Sequence, residues 1–447
     1  MIATVRPLAA LLVGVALLLV GSGLLGTLLA VRGRIEGYDD QTLGLVMSAY
    51  FAGFFLGTYA APGLIQRIGH IRAFAFYAAL CAATVLLHPI LVSPWAWALL
   101  RLATGVALVG LYTVIESWLN VQAPPEQRSR VFAIYMVVNL VALAAGQWLI
   151  GLWSATGFVL FNVVAILVCL AALPVTASRM VQPELPPMPR LALRALFHAA
   201  PAAALGALLS GMAVGSFWGL GAVFASRLGL GLTGVALLVS ATIIGGAALQ
   251  WPIGRLSDGT DRRSALVVVC VLAAAIALGM MLPRGQSGLP LYALWFTFGG
   301  LAFAIYPICM AHLLDHLPPE ETLSAGSSLL LLNGVGSAFG PALAGVAMTR
   351  YGPQALPAFF ATTLVLAALV AGGRRLLRPR ENDTPSVFHL MLRTTPTAFE
   401  LLPEVDPSES AGDDSHADVR RRAAPASSRR GLGGGRRSLR LRRGRRR

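Results

Sequence analysis

The sequence is poor in charge: it contains no lysine, and charged residues make up only 12% of its 447 positions. A soluble domain usually carries about 25% charged residues. Hydrophobic residues account for 56% of the chain, so the composition excludes an ordinary soluble domain. Phosphate-binding loops, zinc-protease helices and nucleophile elbows are missing as well, and we do not expect an enzyme.

Cysteine is scarce too, and its placement carries no chemistry. We interpret the cysteines as packing residues and expect neither a metal nor another cofactor. The seven histidines are scattered along the chain. A membrane-embedded enzyme, one alternative, would need His, Asp or Ser residues clustered within the hydrophobic runs. The four cysteines lie in separate runs: Cys81, Cys169, Cys270 and Cys309.

Long apolar runs are what the sequence has instead. A run of roughly 18 or more apolar residues indicates a membrane-spanning helix, because lipid forces the backbone to satisfy its own hydrogen bonds. The runs do not alternate apolar and polar residues as barrel strands do. We therefore predict an all-α membrane protein of twelve spans: 7–31, 42–65, 73–92, 94–119, 131–152, 157–178, 199–222, 232–253, 264–283, 290–312, 323–348 and 355–373.

Arginine placement predicts the orientation of these spans. With the N-terminus in the cytoplasm, fifteen arginines up to Arg380 fall on the cytoplasmic side and five on the outer side. The positive-inside rule then favours both termini in the cytoplasm. The net charge of +15 arises in these loops and in the tail, where it suits anionic lipid rather than nucleic acid. The five outer arginines are Arg32, Arg34, Arg227, Arg284 and Arg350.

The chain divides into two similar halves. A proline-rich stretch at 179–198 links a six-helix bundle at 1–178 to a second at 199–378. Residues 64–72 (LIQRIGHIR) and 256–263 (LSDGTDRR) each follow a proline and a glycine, and they align at an offset of 192 residues. This spacing indicates an internal repeat of six helices.

The tail at 379–447 differs in composition from the rest of the chain. It carries prolines, serines and mixed charge, and ten of the nineteen residues from Arg429 onward are arginine. Such a segment cannot bury a core, so we predict a disordered, arginine-rich cytoplasmic tail. A lipid-binding or regulatory role and a dispensable extension are both open.

The repeated loops carry a family resemblance. In the second copy, residues 254–258 (GRLSD) followed by 261–263 (DRR) resemble the hallmark loop of the major facilitator superfamily. The first copy departs from this pattern, since Gln66 replaces its acid and Pro62 its first glycine. The resemblance implies two pseudo-symmetric six-helix bundles that rock about a central cavity lined mainly by helices 1, 4, 7 and 10.

These loops also supply candidate residues for a cytoplasmic gate. The loop must turn tightly, and its charges can pair with neighbouring helix ends when the inward side is closed. Asp315, at the end of the tenth span, could meet Arg262 or Arg263. The predicted gate residues are Gln66, Arg67, Gly69, Arg72, Asp258, Arg262, Arg263 and Asp315.

The fourth span holds two charged residues. Arg101 falls roughly 10 Å from the outer edge and Glu116 near the cytoplasmic end, about 22 Å farther along the helix. A charge inside a span is a candidate functional group. Arg101 could attract an anionic substrate, influence a proton carrier, or tie helices together. Glu116 could couple protons, or pair with Arg67, Arg72 or Arg130; we favour the ion pair.

Uncharged polar residues within the spans complete the candidate pathway. Gln147 and Tyr50 are the first choices for contact with substrate, followed by Asn139, although polar groups in spans often only bond helix to helix. The predicted substrate or proton pathway thus comprises Arg101, Glu116, Gln147, Tyr50 and Asn139.

Within the superfamily, the chain is similar to the bacterial YcaD-like branch. The likeness rests on 47–53 (MSAYFAG), 116–120 (ESWLN), 135–147 and 393–401 (RTTPTAFEL). It implies a monomeric secondary transporter for a small solute in the bacterial inner membrane. No ATP site is visible, so a gradient, of protons above all, should drive it. Efflux is favoured over uptake; a non-transporting sensor or scaffold is a further alternative.

Overall fold

The computed structural model describes residues 9–124, 127–176, 183, 191, 193–317, 319–377 and 395. Twelve helices in this part are long and apolar enough to cross a membrane. They are α1 (Ala9–Ile35), α2 (Asp40–Ile68), α3 (His70–Leu87), α4 (Pro94–Gln122), α5 (Arg128–Trp148), α6 (Val159–Thr176), α7 (Pro201–Arg227), α8 (Leu232–Asp258), α9 (Arg262–Gly279), α10 (Gly288–Leu314), α11 (Pro319–Tyr351) and α12 (Ala355–Leu377).

The predicted fold is confirmed: twelve spans, all helical. Most of the helices are longer than the predicted spans, because the helical hydrogen bonds continue into polar turns beyond the apolar stretch. A short helix, Leu193–Ala199, lies at the end of the predicted linker, and the division of the chain at this linker stays a prediction. The predicted disordered tail lies outside the described residues, with Thr395 the exception.

Local sequence signals set several helix ends. Asp39 caps α2 by accepting a hydrogen bond from the backbone N–H of Thr42 at 2.9 Å, and bonds from Thr42 hold the pKa of Asp39 below its usual value. Asp261 caps α9 in the same way through Ser264. Partial burial alone would raise the pKa of Asp261, but these hydrogen bonds keep it low. Both caps satisfy backbone donors that a helix start leaves open.

Helix packing repeats between the halves. In the first bundle α2 packs on α4, α1 on α5 and α6, and α3 on α4 and α6. In the second bundle the helices six places later form the same pairs: α8 on α10, α7 on α11 and α12, and α9 on α10 and α12. The equivalent pairings support the internal repeat that the two loops indicate.

Glycines bring the repeated helix pairs into backbone contact. A Cβ on Gly53 of α2 would lie 1.9 Å from the carbonyl oxygen of Leu102 in α4. A Cβ on Gly245 of α8 would lie 1.8 Å from that of Phe296 in α10. The two glycines are 192 residues apart, the same offset as the loops. Small residues at such crossings let membrane helices approach closely.

Replacing Gly53 or Gly245 with alanine should therefore destabilise the protein strongly. The methyl group would push the backbones apart, and overpacking costs about 1–3 kcal/mol or more, which corresponds to roughly 5 °C in the unfolding midpoint. Thermal unfolding in detergent measures the effect. Gly63→Ala is the control: it lies in α2 with nothing within 4 Å of its added Cβ. If all three variants unfold alike, the close approach does not stabilise the bundles.

The two bundles meet mainly along α2 with α11 and α5 with α8. We name the end of the molecule with the α2–α3 and α8–α9 loops the arginine-rich end, and the opposite end the arginine-poor end. Close contacts lie towards the arginine-poor end. The backbone N–H of Gln41 donates to Thr349 Oγ1 at 2.8 Å, and that of Ala342 donates to Ser48 Oγ at 2.9 Å. Ser240 Oγ of α8 donates to the Ala144 carbonyl of α5.

Candidate functional site

A cavity lies between the two bundles, roughly 10–15 Å inward from the arginine-poor ends of the helices. Its described lining comes from both halves, through α1, α2, α4 and α5 on one side and α7 and α8 on the other. The lining combines a charged residue, polar groups, aromatic rings and glycines: Ser22, Gly23, Gly26, Thr27, Met47, Tyr50, Phe51, Arg101, Leu143, Gln147, Phe217, Trp218, Gly219, Ala222 and Val239.

Arg101 and Tyr50 form the polar centre of this cavity. The guanidinium carbon of Arg101 lies 4.3 Å from the centroid of the Tyr50 ring, a cation–π contact. Arg101 is 6% exposed and Tyr50 3%. Gly105 makes the contact possible, because a Cβ there would lie 2.1 Å from the Tyr50 carbonyl oxygen. The structure thus brings two predicted pathway residues together.

Gln147 lines the same cavity, but its amide bonds to α1. Its Nε2 donates to the carbonyl oxygens of Gly23 at 3.0 Å and Leu143 at 3.1 Å. The hydroxyl of Thr27 donates to its Oε1. The amide therefore joins α5 to α1 as well as facing the cavity. Sequence reasoning missed Thr27, which carries no signal of its own within an apolar span.

Glu116 lies in a separate cluster nearer the arginine-rich end. It is fully buried and accepts hydrogen bonds from the Tyr135 hydroxyl at 3.2 Å and the Thr395 backbone N–H at 3.0 Å. The Thr395 hydroxyl donates to the same oxygen, Oε2. Asn139 belongs beside this cluster, since its Nδ2 donates to the Tyr135 carbonyl; it is not among the described residues of the cavity.

These contacts differ from the partners expected for Glu116. The expected ion pair with Arg67, Arg72 or Arg130 stays a prediction, and the recorded contacts join α4 to α5 and to the tail. Thr395 is 1% exposed. The sequence signal for it was the resemblance of residues 393–401 to the YcaD-like branch.

The α2–α3 loop is as tight as predicted. Gly69 is the single residue between the two helices and has φ of 83°, a conformation that favours glycine. Its N–H donates to the Ile65 carbonyl at 2.8 Å. Gln66, Arg67 and Arg72 are exposed at this end. Their predicted role in the gate stays a prediction.

The α8–α9 loop is held by ion pairs. Arg262, 4% exposed, lies 2.7 Å from Asp258 and 3.4 Å from Asp315. Arg263 Nη2 lies 3.4 Å from the His316 ring. The structure thus joins Arg262 to Asp315, a pair that the sequence suggested. These pairs tie α8, α9 and the end of α10 together within the second bundle, and their role as a gate stays a prediction.

A further ion cluster lies at the arginine-poor end, and sequence reasoning missed it. Asp40, 2% exposed, lies 3.1 Å from Arg227 and 3.8 Å from Arg34. Arg227 ends α7, so this pair joins the two bundles. The sequence signal was present in the Asp39–Asp40 pair at the start of α2, where two acids suggest only helix capping.

The described lining of this cavity contains no residue of α10 and includes residues of α2, α5 and α8. Lining of the substrate cavity by helix 10 stays a prediction. At this cavity a stacked aromatic pair stands between: the rings of Trp218 and Phe303 lie 5.9 Å apart at 15°. Trp218 of α7 faces the cavity, and Phe303 of α10 packs behind it.

Twelve spans in two equivalent bundles around a shared cavity define a membrane transporter. The chain belongs to the major facilitator superfamily, whose family model matches residues 11–329 and 203–402. It is 28% identical over 392 residues to the uncharacterized MFS-type transporter Ent638_1421 of Enterobacter sp. (strain 638), covering 85% of this chain and 98% of that one. It is 27% identical to the uncharacterized MFS-type transporter YcaD of Escherichia fergusonii, covering 86% and 99%. The predicted resemblance is confirmed.

Solved structures of other transporters share the fold. The nucleoside transporter NupG matches with a TM-score of 0.68 and 15% identity, over 83% of this chain and 99% of that one. A bacterial homolog of the human lysosomal transporter Spinster, in an inward-facing and occupied conformation, matches with a TM-score of 0.67 and 16% identity, over 85% and 98%. The family match and the twelve apolar helices make the chain a multi-pass membrane transporter. Its family carries small-molecule solutes.

Proposed function

We propose that this protein is a monomeric secondary active transporter that moves a small solute by alternating access. The supporting observation is the cavity itself: both bundles line it, and contacts between α2 and α11 and between α5 and α8 close the arginine-poor side. A site at the interface of two repeats is where transporters of this plan bind solutes. Substrate would then contact Arg101, Tyr50 and the aromatic wall.

We also propose an orientation with the arginine-rich end and both termini in the cytoplasm. Described arginines at that end include Arg67, Arg72, Arg255, Arg262 and Arg263, in keeping with the positive-inside rule. In this orientation the cavity is closed towards the outside. We place the protein in the bacterial inner membrane, because the relatives named YcaD come from bacteria.

Protons are the proposed coupling ion and export the proposed direction. Buried carboxylates at Asp40 and Glu116 offer groups that can take up a proton. An aromatic wall suits apolar organic compounds, which enter cells through the bilayer and therefore call for export. Uptake of a metabolite is the alternative. Reconstituted vesicles with an imposed proton gradient, loaded on either side with labelled solutes, distinguish the two directions.

Distances between spin labels test alternating access without a known substrate. Label pairs at Val121 and Thr260 report on the arginine-rich end, and pairs at Ser154 and Ser287 on the other; all four positions are exposed. Cys169, the exposed native cysteine, is first replaced by serine. As pH changes, we expect one pair to separate while the other closes.

The non-transporting alternative gives a different result in this experiment. A static scaffold leaves both label distances unchanged, and a loosening of the whole protein lengthens both. Either outcome would contradict alternating access. Opposite changes in lipid bilayers, with the same midpoint in pH, would support both the rocking motion and its coupling to protons.

A further inference from the structure

A groove lies at the arginine-poor end of the second bundle, between the end of α9 and the start of α10. A short 3₁₀ turn, Pro283–Gln286, connects the two helices, and the groove has a volume of about 400 Å³. A cavity of roughly 150 Å³ already holds benzene. The described lining is small or apolar apart from one charge and one hydroxyl: Gly279, Leu282, Arg284, Gly285, Pro290, Ala293, Leu294 and Thr297.

The groove has the shape and the surroundings of a place for an acyl chain. Pro290 and Thr297 lie seven positions apart on α10, so the groove follows this helix for about 10 Å. Leu282 is 62% exposed and Ala293 is exposed as well, and exposed apolar residues of a membrane helix face lipid. At Gly285 an added Cβ would lie 2.4 Å from the Gly279 carbonyl oxygen, so the turn passes close to the end of α9.

Arg284 is the one charged residue among the described residues of the lining. It is exposed, at the level of the helix ends. The other arginines predicted on the outer side each contact an acid or an aromatic ring of this chain: Arg32, Arg34, Arg227 and Arg350. Arg284 has no such partner within the described part of the chain. A cation above an apolar groove complements a phospholipid, whose phosphate lies above its acyl chains.

We propose that this groove binds an anionic phospholipid, with its phosphate group against Arg284 and an acyl chain along α10. Phosphate oxygens accept charge-assisted hydrogen bonds from a guanidinium. In the orientation proposed above, the lipid belongs to the outer leaflet. Only this leaflet rests on the proposed function, since the binding itself does not depend on transport.

The headgroup determines which phospholipid binds best. Phosphatidylglycerol carries a negative phosphate and a neutral glycerol, whereas phosphatidylethanolamine adds an ammonium group. No acid among the described lining residues can pair with that ammonium, and Arg284 repels it. One arginine near a membrane surface favours an anionic lipid about fivefold. Added salt should reduce this preference by screening the charge.

The first bundle provides a matched surface without the arginine. Its corresponding connection between α3 and α4, residues 88–93 (HPILVS), contains no arginine. Leu278 lies beside the groove on the last turn of α9 and is 53% exposed. Leu86, 192 positions earlier in α3, is 39% exposed. A reporter at Leu278 therefore measures lipid at the groove, and a reporter at Leu86 measures lipid at the equivalent surface.

Quenching by brominated lipids measures the local preference. Leu278→Cys or Leu86→Cys, each in a Cys169→Ser background, carries a bimane fluorophore; the other native cysteines are buried. The full-length protein is reconstituted in phosphatidylcholine vesicles with increasing brominated phosphatidylglycerol or brominated phosphatidylethanolamine. At Leu278 we expect half-maximal quenching at about fivefold lower content of the glycerol lipid. At Leu86 the two lipids should quench alike.

Variants separate the charge from the groove. Arg284→Gln should remove the preference for the glycerol lipid at Leu278, and Arg284→Lys should keep most of it, because an ammonium also binds phosphate. Ala293→Phe, at an exposed position of the lining, fills the groove and leaves Arg284 in place. It should weaken the preference if the acyl chain occupies the groove.

Several results would overturn this lipid site. They are equal quenching by the two lipids at Leu278, the same preference at Leu86, or an undiminished preference in Arg284→Gln or in Ala293→Phe. Shielding of Leu278 from both lipids, with cross-linking between two molecules through Leu278→Cys, would mean that a second copy of the chain covers the groove instead. The proposed transport fails separately: the lipid preference would persist, yet the spin-label distances would not change and no solute would move in vesicles.

Discussion

Replacing Glu116 with glutamine should lower the midpoint of thermal unfolding by several degrees. The carboxylate is fully buried and takes hydrogen bonds from Tyr135 on one oxygen and from Thr395 on the other. A glutamine amide can accept on one side only, so with its oxygen on Thr395 the Tyr135 hydroxyl would have to accept instead of donate, and the bonds to a charged acceptor would be lost. A hydrogen bond to a charged group is worth about 1.5–3 kcal/mol, or roughly 5 °C at this scale.

A double-mutant cycle assigns the effect to the tail contact. Thr395→Val removes the hydroxyl while keeping the shape, and Thr395→Ser keeps the hydroxyl. We expect the valine variant to unfold earlier and the serine variant to behave much like the parent. The combination Glu116→Gln with Thr395→Val should cost less than the sum of the two, because both changes affect one contact.

The pair of Arg32 and Glu36, whose side chains are 12% and 25% exposed, provides the control. Glu36→Gln disturbs an i, i+4 ion pair at the end of α1, and such pairs contribute only about 0.3–0.5 kcal/mol. Its unfolding midpoint should hardly move. If Glu116→Gln behaves like Glu36→Gln, or if the effects of Glu116→Gln and Thr395→Val simply add, the tail contact does not stabilise the protein.

The same variant separates two roles of Glu116 in transport. A carboxylate that only fixes helices and tail should, when replaced by glutamine, lower coupled transport and exchange together. A coupling carboxylate should lose net proton-driven transport and keep exchange. The second result would contradict the structural role that the contacts with Tyr135 and Thr395 suggest.

The spans were predictable because membrane helices follow from local composition. Each apolar run must satisfy its backbone internally, so length and hydropathy suffice to place it. In the sequence, the similarity of the two halves could be recognised at one loop, which occurs once in each half. The structure extends it to the helix crossings at Gly53 and Gly245, since these glycines also lie 192 residues apart.

The candidate site was predictable only in part. Arg101 and Tyr50 stand out as polar groups in apolar spans, and the structure brings them together. The partner of Glu116 was not predictable, because Thr395 is 279 residues away and has no charge to signal a pair. Trp218 looked like one more apolar residue of a span, and only the packing of α7 on α10 turns it towards the cavity.

Replacing Asp40 with asparagine should open the arginine-poor end of the protein. The Asp40 carboxylate is buried between Arg227 of the second bundle, at 3.1 Å, and Arg34 of the first, at 3.8 Å. Removing its charge breaks the pair across the bundles and leaves two arginines facing each other. Both arginines are about one-third exposed, so water screens part of the loss, and we expect roughly 2 kcal/mol.

An energy difference of that size changes the ratio of open to closed molecules about thirtyfold. A cysteine at Gly26 measures it, since the position lines the cavity and has room for a side chain. In a Cys169→Ser background, a membrane-impermeant thiol reagent added on the proposed outer side should react with this cysteine much faster when Asp40 is asparagine. Arg227→Gln should have a similar effect, and the double variant little more.

Asp39→Asn is the matched control for Asp40→Asn. Asp39 is the neighbouring acid, its low pKa keeps it charged at neutral pH, and its recorded contact is the helix cap on Thr42. Its replacement by asparagine, also a good capping residue, removes the same charge without touching the contact between bundles. Equal acceleration in both variants would mean that the reagent responds to surface charge. An unchanged rate in Asp40→Asn would mean that the hydrogen bonds of Gln41 and Ser48 with α11, and not the ion pair, hold this end closed.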